Sequence, residues 1–260
     1  FYGHITKQDY DIVFDEFKVL LKKRFFDKQE TNNNLEPEEW NFYWDSTYPL
    51  ILEKKASLFV IYQDTKPIAI SLNYFSESIL FFAITVFDID FYKFNIGKVH
   101  LMKLYEWCFD EKIKIFDLSK GDYRYKERWS NVKYCFENHI YYDSTSLVAA
   151  LLAIIMSNFF RLKQFLRNLN LNVLINKLLF IFKSKQNNTS VKYQFDDIDV
   201  TTIDQGSLEE IELDNEKYPF LRKAIFEFIF SNNTVSLSDI ILYKHLNKTN
   251  TFLIRTKNIN

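Results

Sequence analysis

The sequence predicts a mixed α/β fold (α+β), in which helices flank a largely antiparallel sheet. Two observations carry this prediction. Between residues 58 and 87 the apolar residues follow strand-like runs separated by turn residues, whereas the apolar residues before and after this stretch recur at helical spacing. A further β-like run at 113–118 comes directly after the second helical stretch, which is the order expected of strands and helices packed in layers.

Two helices are predicted before the sheet. In the first, Asp9 stands where it could cap the helix, and the apolar stripe consists of Tyr10, Val13, Phe14, Phe17, Leu20 and Leu21. The second begins at Pro37, a residue favoured in a first turn, and carries its aromatic side chains on one face. We expect Pro49 to break or kink this helix, because proline lacks the N–H that continues the ladder.

The sheet region is predicted to alternate short strands with one helix. The expected elements are antiparallel strands at 58–62, 68–74 and 79–87, a helix at 97–110, a strand at 113–118 and a last strand at 134–142. The helix carries an apolar stripe of Leu101, Leu104, Tyr105 and Cys108, so it should pack on the sheet.

The segment from 145 to 183 is predicted to be a helical extension. It is apolar with interleaved basic residues, and a break is expected around 168–172. We expect it to pack on the core; peripheral contact of 146–182 with a membrane surface and clasping of a partner remain open. Its longest apolar run, 147–156, looks too short to span a bilayer.

A polar, linker-like stretch at 184–190 separates the extension from a small C-terminal module at 191–260. The module is predicted to have an acidic β-like start containing Asp196, Asp197 and Asp199. A helix around 218–230 and two short strands near 240–243 and 251–254 should follow. It carries no motif that indicates a function.

Composition excludes several classes of protein. The 33 basic and 34 acidic residues nearly balance, which argues against a DNA-binding protein that relies on phosphate neutralisation. Cys108 and Cys135 form no disulfide framework, and no histidine has metal-ligand spacing, so we expect no metal and a cytoplasmic setting. No signal peptide is visible after Phe1, and the absence of an initial methionine leaves open that the chain is a fragment.

The stretch from 113 to 129 holds the strongest candidate for chemistry. A β-like run ends at Asp117, and a polar turn follows that contains Gly121, one of only four glycines in the chain. Polar turns at strand ends are where α/β proteins place functional groups.

This stretch resembles one branch of the GNAT acyltransferase superfamily. The branch is named after cellulose and exopolysaccharide biosynthesis proteins and is related in fold to the Fem aminoacyl transferases. The positions that carry the resemblance are Asp117, Gly121, Tyr125, Lys126, Arg128 and Trp129. The resemblance covers roughly residues 10–142. It implies a GNAT-like domain at 1–144, lacking its N-terminal part, that transfers an acyl group from a thioester or similar donor.

Site residues follow from that resemblance and from helix chemistry. The N-terminus of the 97–110 helix offers unpaired amides for a pyrophosphate, so the donor-binding candidates are Asn95, Ile96, Gly97 and Lys98. The superfamily's usual glycine-rich loop is absent, which leaves room for a donor other than coenzyme A. Strand 81–87 is the expected splayed strand, and Tyr125 is the expected general acid.

Further residues were assigned to the acceptor and to the base. Lys126 and Arg128 could bind phosphate or an acidic acceptor, beside Gly121, and Asp117 either contributes there or caps the turn. Glu137 and His139, two residues apart in the predicted last strand, would share a face and could act as a base.

The sequence thus predicts an N- or O-acetyltransferase that uses acetyl-CoA or another acyl-CoA. The acceptor would be an amine or hydroxyl of a sugar or of a cell-envelope or polysaccharide precursor. Two alternatives stay open: a Fem-like transferase that uses aminoacyl-tRNA, and a degenerate GNAT domain that binds or scaffolds without catalysis. The oligomeric state is not predicted.

Overall fold

The computed structural model of the 260-residue chain describes residues 1–121, 123–169, 171, 175, 177–178, 180, 193–196, 198, 204–213, 215 and 217–257. The helices are α1 (Lys7–Lys28), α2 (Pro37–Leu52), α3 (Ile96–Asp110), α4 (Arg124–Trp129), α5 (Leu147–Asn168) and α6 (Leu221–Ser231). The strands are β1 (Ala56–Gln63), β2 (Lys66–Ser76), β3 (Ile79–Phe87), β4 (Ile115–Asp117), β5 (Leu208–Ile211), β6 (Ile240–His245) and β7 (Phe252–Thr256). Asp122, a residue of the motif turn, lies outside the described residues.

The first sheet has the strand order β1-β2-β3-β4. The first three strands are antiparallel, whereas β4 runs parallel to β3. Helices α1 and α2 share a buried cluster with one face of the sheet, and α3 shares a different cluster with the other face. This arrangement confirms the predicted mixed fold, a largely antiparallel sheet between helices, and it is GNAT-like.

The N-cap of helix α1 lies three residues before the expected one. Thr6 is the N-cap, and its hydroxyl accepts a hydrogen bond from the Asp9 amide at 3.1 Å. The prediction that Asp9 caps the helix was therefore wrong, although its carboxylate lies in the first turn, where the helix dipole favours negative charge. The predicted apolar stripe of α1 is buried in the core, as expected.

Helix α2 begins at Pro37, as predicted, but it does not break at Pro49. The helix continues to Leu52, so the predicted break was wrong. Thr47 and Ile51, on either side of the proline, are completely buried. Their packing holds the last turn in place although one backbone hydrogen bond is missing there.

The two expected strands around the motif differ from prediction. β4 has only three residues, because only Ile115–Asp117 finds a partner edge in β3. The predicted strand at 134–142 does not form; this segment is irregular and largely exposed, with Tyr141 91% exposed. Aromatic residues favour a strand only where another strand offers hydrogen bonds and packing, and in the described structure none pairs with this segment.

Helix α5 also departs from prediction. It runs for 22 residues with only Ala153 buried, so the expectation of packing on the core was wrong for α5. In the later part of the extension, the ring of Phe180 does contact Phe26 of α1, with ring centroids 5.9 Å apart. By length and composition, α5 is long and apolar enough to cross a membrane. The expectation that this region is too short to span a bilayer considered only the run at 147–156 and is corrected by the full length of the helix. The helix ends at Asn168, where the break was expected, and much of the following segment lies outside the described residues.

The C-terminal part contains a second, antiparallel sheet in the order β5-β6-β7, with α6 packed on it. The predicted helix and two strands are therefore confirmed. Only Asp196 of the three acidic residues in the expected β-like start lies among the described residues, and it is not in a strand.

Helix α6 contacts the GNAT-like part through a 3₁₀ helix, Ile89–Phe94, which precedes α3. The rings of Phe226 and Phe91 lie 4.1 Å apart. Beside them, Lys23 Nζ lies 2.5 Å from carboxylate oxygens of both Asp88 and Asp90, and Arg222 of α6 lies 3.7 Å from Asp88. A charged cluster thus connects α1, the 3₁₀ helix and α6.

Candidate active site

Strand β3 opens away from β4 after three residue pairs. The parallel register runs from Ile79 opposite Ile115 to Phe81 opposite Asp117, but β3 itself continues to Phe87. Beyond Phe81, this edge of β3 has no strand partner among the described residues. Backbone amides and carbonyls along such an edge are available to a ligand.

A β-bulge lies in the open part of β3. Phe82 and Ile84 pair with consecutive residues of β2, so Ala83 between them has no partner. The bulge changes which face the side chains take: Phe82 packs in the cluster with α3, whereas Ile84 packs in the cluster with α1 and α2. A bulge re-aims the local backbone, and Ala83 is also the exposed residue of this strand.

The motif turn is held by its own side chains. Asp117 accepts a hydrogen bond from the Ser119 amide at 2.7 Å through one carboxylate oxygen, and the Tyr134 hydroxyl donates to the other. This carboxylate raises the pKa of Tyr134 to about 12. Asp117 therefore fixes the turn. Of the two roles predicted for it, capping the turn and binding substrate, this geometry shows the first.

Two left-handed residues shape the turn. Ser119 has a φ of 62° and Gly121 a φ of 104°. A Cβ on Gly121 would also lie 2.6 Å from the Tyr123 ring, so glycine is required here by conformation and by space. Gly121 thus allows the Tyr123 ring to lie directly against the turn.

Lys126 closes the same turn. Its ammonium donates to the carbonyl oxygens of Ser119 and Lys120, at 2.9 and 2.6 Å. Helix α4 is in turn anchored by Tyr105, whose hydroxyl donates to the Trp129 carbonyl at 2.6 Å. Lys126 therefore has a structural role besides any contact with substrate, while Arg128 is exposed on α4.

Tyr125 lies beside an arginine that sequence reasoning missed. Burial raises the pKa of Tyr125, and the neighbouring Arg24 opposes that rise. The same burial lowers the pKa of Arg24, whose guanidinium carbon lies 4.5 Å from the centre of the Phe87 ring. Phe87 is the last residue of β3, so Arg24 lies at the open end of that strand, and its charge acts on the hydroxyl of Tyr125.

Arg24 makes no hydrogen bond or ion pair within the described part of the chain. It comes from the far end of α1, about 100 residues before the motif, and nothing in its local sequence distinguishes it from the neighbouring lysines. A half-buried cation without a carboxylate partner is an available site for an anion. Only the fold could reveal it, because α1 crosses the sheet at the end of β3.

The N-terminus of α3 adjoins the same place. Asn95 precedes the helix with a φ of 53° and gives it no side-chain cap. A Cβ on Gly97 would lie 2.9 Å from the Phe87 ring, so this glycine allows the helix to pack closely on β3. Ile96 is buried and Lys98 is exposed, and the first amides of the helix have no intrahelical acceptor.

Glu137 and His139 are not brought to this site. They lie in the irregular segment, both largely exposed, with His139 Nε2 3.5 Å from Glu137 Oε2. In the described structure no contact joins them to Tyr125 or Arg24. The argument that they share the face of a strand was wrong, because that strand does not form.

Comparison with known proteins supports a superfamily for the N-terminal half. Residues 4–127 match a family described as an acetyltransferase (GNAT) domain. The match supports a GNAT-type domain. It spans α1 to the middle of α4 and so includes Arg24, the open strand and Tyr125, whereas Glu137 and His139 lie outside it. No curated protein and no solved structure matches the chain.

The match supports an acyltransferase-type function in general terms, and the GNAT family implies a small-molecule acyl donor and an acceptor. GNAT domains generally use acyl-CoA. Within the described ranges no group of three or more His, Cys, Asp or Glu side chains is arranged to hold a metal ion.

Proposed function

We propose that the chain is an acetyl-CoA-dependent acyltransferase. It transfers the acyl group to an amine or hydroxyl of a sugar or of a cell-envelope or polysaccharide precursor, in the cytoplasm. The observation that supports this most directly is the opening of β3 from β4, which leaves a bulged strand edge that ends at Phe87, where Arg24 packs.

The open edge of β3 suits the chemistry at the thioester carbonyl. An acceptor nitrogen or oxygen attacks that carbon, a new C–N or C–O bond forms, and the carbonyl oxygen gains negative charge. Backbone amides around Ala83 are available to donate hydrogen bonds to this oxygen as its charge develops. The C–S bond then breaks and the acyl group stays on the acceptor.

Tyr125 suits the role of general acid for the departing sulfur. Burial raises its pKa, so at neutral pH its hydroxyl holds the proton that a thiolate needs. Solvent then returns a proton to Tyr125. Because Glu137 and His139 lie elsewhere, we assign the acceptor's proton to solvent, and positioning of donor and acceptor contributes most of the rate.

Two features fit the phosphates of coenzyme A. The first amides of α3, at Ile96 and Gly97, favour an anion through their unpaired N–H groups and the helix dipole. Lys98 adds an exposed cation next to them. Arg24, half-buried and without an anionic partner in the described structure, packs on the same Phe87 ring that Gly97 approaches.

Calorimetric titration of the purified chain with acetyl-CoA tests the donor. Binding, followed by acceptor-dependent release of free thiol in a panel of amino sugars and sugar alcohols, is the expected result. A chain that is folded by circular dichroism but binds no acyl-CoA would contradict the proposal. Filter binding of aminoacyl-tRNA then separates the Fem-like alternative from a non-catalytic domain.

A further inference from the structure

Helix α5 exposes most of its large apolar side chains. It is 22 residues long, and Leu147, Leu151, Ile155, Phe159, Leu162 and Phe165 are all at least half exposed. A contiguous exposed apolar surface of this kind indicates an interaction site rather than an ordinary solvated helix.

The pattern of exposure along α5 is the reverse of that in a core helix, because its small residues are the less exposed ones and its large apolar residues are exposed. The less exposed positions share one face and are mostly small residues: Ala149, Ala150, Ala153, Ser157 and Phe160. Most of the large apolar side chains lie on the other face, where Asn158 is the polar exception. A helix that packs on a soluble core buries its large side chains, so this apolar face needs a different environment.

The charges of α5 point to the chemistry of that environment. The helix contains no acidic residue, and its basic residues are Arg161, Lys163 and Arg167. At about 100° per residue, Arg161 and Lys163 lie on opposite borders of the apolar face. Basic residues that border an apolar face are typical of helices that lie in a membrane interface, where the stems are buried and the charges reach the headgroups.

The segment before α5 adds interfacial aromatic residues. Tyr141 and Tyr142 precede the helix in the irregular segment, and Tyr141 is 91% exposed. Tyrosine is enriched at the level of lipid headgroups because its ring is apolar and its hydroxyl polar. The stretch from 141 to 168 thus combines exposed tyrosines with an apolar helix face and its basic borders.

We propose that α5 binds the surface of an anionic membrane and lies in the plane of the interface, with its large apolar side chains among the lipid chains. The helix meets the length and composition of a membrane span, but Arg161 and Lys163 border its apolar face along its side. That placement favours lying on the membrane over crossing it. Binding to lipid is independent of the proposed acyl transfer.

Sedimentation of the full chain with lipid vesicles tests this proposal. We expect the chain to sediment with vesicles of phosphatidylcholine and phosphatidylserine, and much less with phosphatidylcholine alone. The variants Ile155→Glu and Gln164→Glu form a matched pair, because each adds one carboxylate and the positions, nine residues apart, lie on opposite faces. Ile155→Glu should lower the partition coefficient at least tenfold, whereas Gln164→Glu should lower it by no more than about fivefold, as expected for one charge.

The basic border is tested by Arg161→Gln combined with Lys163→Gln. Each basic residue near an anionic surface contributes roughly fivefold to binding, so the double variant should bind anionic vesicles on the order of 25-fold more weakly. Equal binding by all these variants, or no binding by the folded parent chain, would overturn the proposal.

Two further results would also overturn it. A dimer in sedimentation velocity that Ile155→Glu dissociates, without vesicle binding, would assign the apolar face to a second copy. Protein that stays with the vesicles after alkaline carbonate extraction would show a spanning helix in place of an interfacial one. High salt should instead release the parent chain partly, because only the charge contribution is screened.

Discussion

The guanidinium carbon of Arg24 lies 4.5 Å from the centre of the Phe87 ring. A Cβ on Gly97 would lie 2.9 Å from an edge atom of the same ring. Through Phe87, the end of α1, the end of β3 and the start of α3 are therefore packed as one unit. This unit flanks the open strand edge to which the proposed chemistry is assigned.

Replacing Arg24 by glutamine should weaken donor binding by roughly 10- to 100-fold, since a hydrogen bond to a charged group contributes about 1.5–3 kcal/mol. Thermal stability should stay the same or rise, because a half-buried cation with no ion pair in the described structure is removed. Titration calorimetry and thermal unfolding measure the two effects. Lys22→Gln, an exposed neighbour on α1, is the control; an equal loss of binding there would contradict a specific role of Arg24.

Replacing Tyr125 by phenylalanine should lower turnover by roughly a hundredfold, the usual contribution of a general acid, and leave donor affinity nearly unchanged. The raised pKa of Tyr125 sets the expected pH dependence. The protonated form is the active one. Ionisation of Tyr125 should therefore cause no loss of activity until the pH exceeds the ordinary pKa of a tyrosine hydroxyl. Tyr123→Phe, in the neighbouring ring, is the matched control, and unchanged turnover in Tyr125→Phe would remove it from the mechanism.

Gly97→Ala should disturb the Phe87 ring and thereby the support of Arg24. The backbone of Gly97 is helical, so alanine causes no conformational strain there, and the cost comes from overpacking. We expect a net loss of stability of about 1 kcal/mol together with weaker donor binding. Gly206→Ala, where the nearest atom would lie 3.4 Å away, is a control that thermal unfolding should show to be neutral.

Lys23→Met should destabilise the protein by about 3 kcal/mol, because it leaves the nearly fully buried carboxylates of Asp88 and Asp90 without their closest cation. Arg222 stands farther from both and would compensate only in part. Chemical denaturation measures the loss. Lys22→Met removes an exposed charge from the same helix and should change stability by less than about 0.5 kcal/mol; a similar loss in both variants would exclude the charged cluster as the cause.

His100 should make the protein sensitive to acid. Its Nε2 lies 2.9 Å from Ser71 Oγ, Nδ1 has no hydrogen-bond partner in the described structure, and burial lowers its pKa to about 4. The unfolded chain binds the proton of this imidazole more tightly than the folded chain does. The contribution of neutral His100 to the free energy of unfolding is therefore complete above pH 6.5 and is lost as the pH falls towards 4. The loss should reach about 3 kcal/mol.

Unfolding free energies of the parent and of His100→Gln, measured between pH 4 and pH 7, check this expectation. The variant should be less stable at neutral pH and should lose less stability on acidification. His245→Gln serves as the control, because His245 lies at the end of β6 in the second sheet. An unchanged pH profile in His100→Gln would assign the acid sensitivity to other groups.

Local sequence patterns predicted the elements whose partners lie nearby in the chain. The stripe of α1, the antiparallel meander of β1 to β3, the start of α2 at Pro37 and the glycine of the motif turn were all predicted from periodicity and turn chemistry. These features depend on hydrophobic spacing and on single-residue conformational preferences, both of which are visible in a sequence.

Elements that depend on a distant partner were predicted less well. The segment at 134–142 has the composition of a strand but finds no neighbouring edge in the described structure, and Pro49 is tolerated because Thr47 and Ile51 are packed. The prediction that Glu137 and His139 form a base depended on a strand at 134–142, and it was wrong because that strand does not form.

The sequence by itself determined the order of the helices and strands from α1 to β4, the motif turn at 117–129 and the resemblance to a GNAT acyltransferase, from which 81–87 was expected to be the splayed strand. Only the tertiary structure decided that Arg24 meets Phe87, that 134–142 forms no strand and that the apolar face of α5 is exposed. The reason is physical. Hydrophobic periodicity shows which side chains of an element seek burial, but the surface each one meets depends on how elements far apart in the chain pack together.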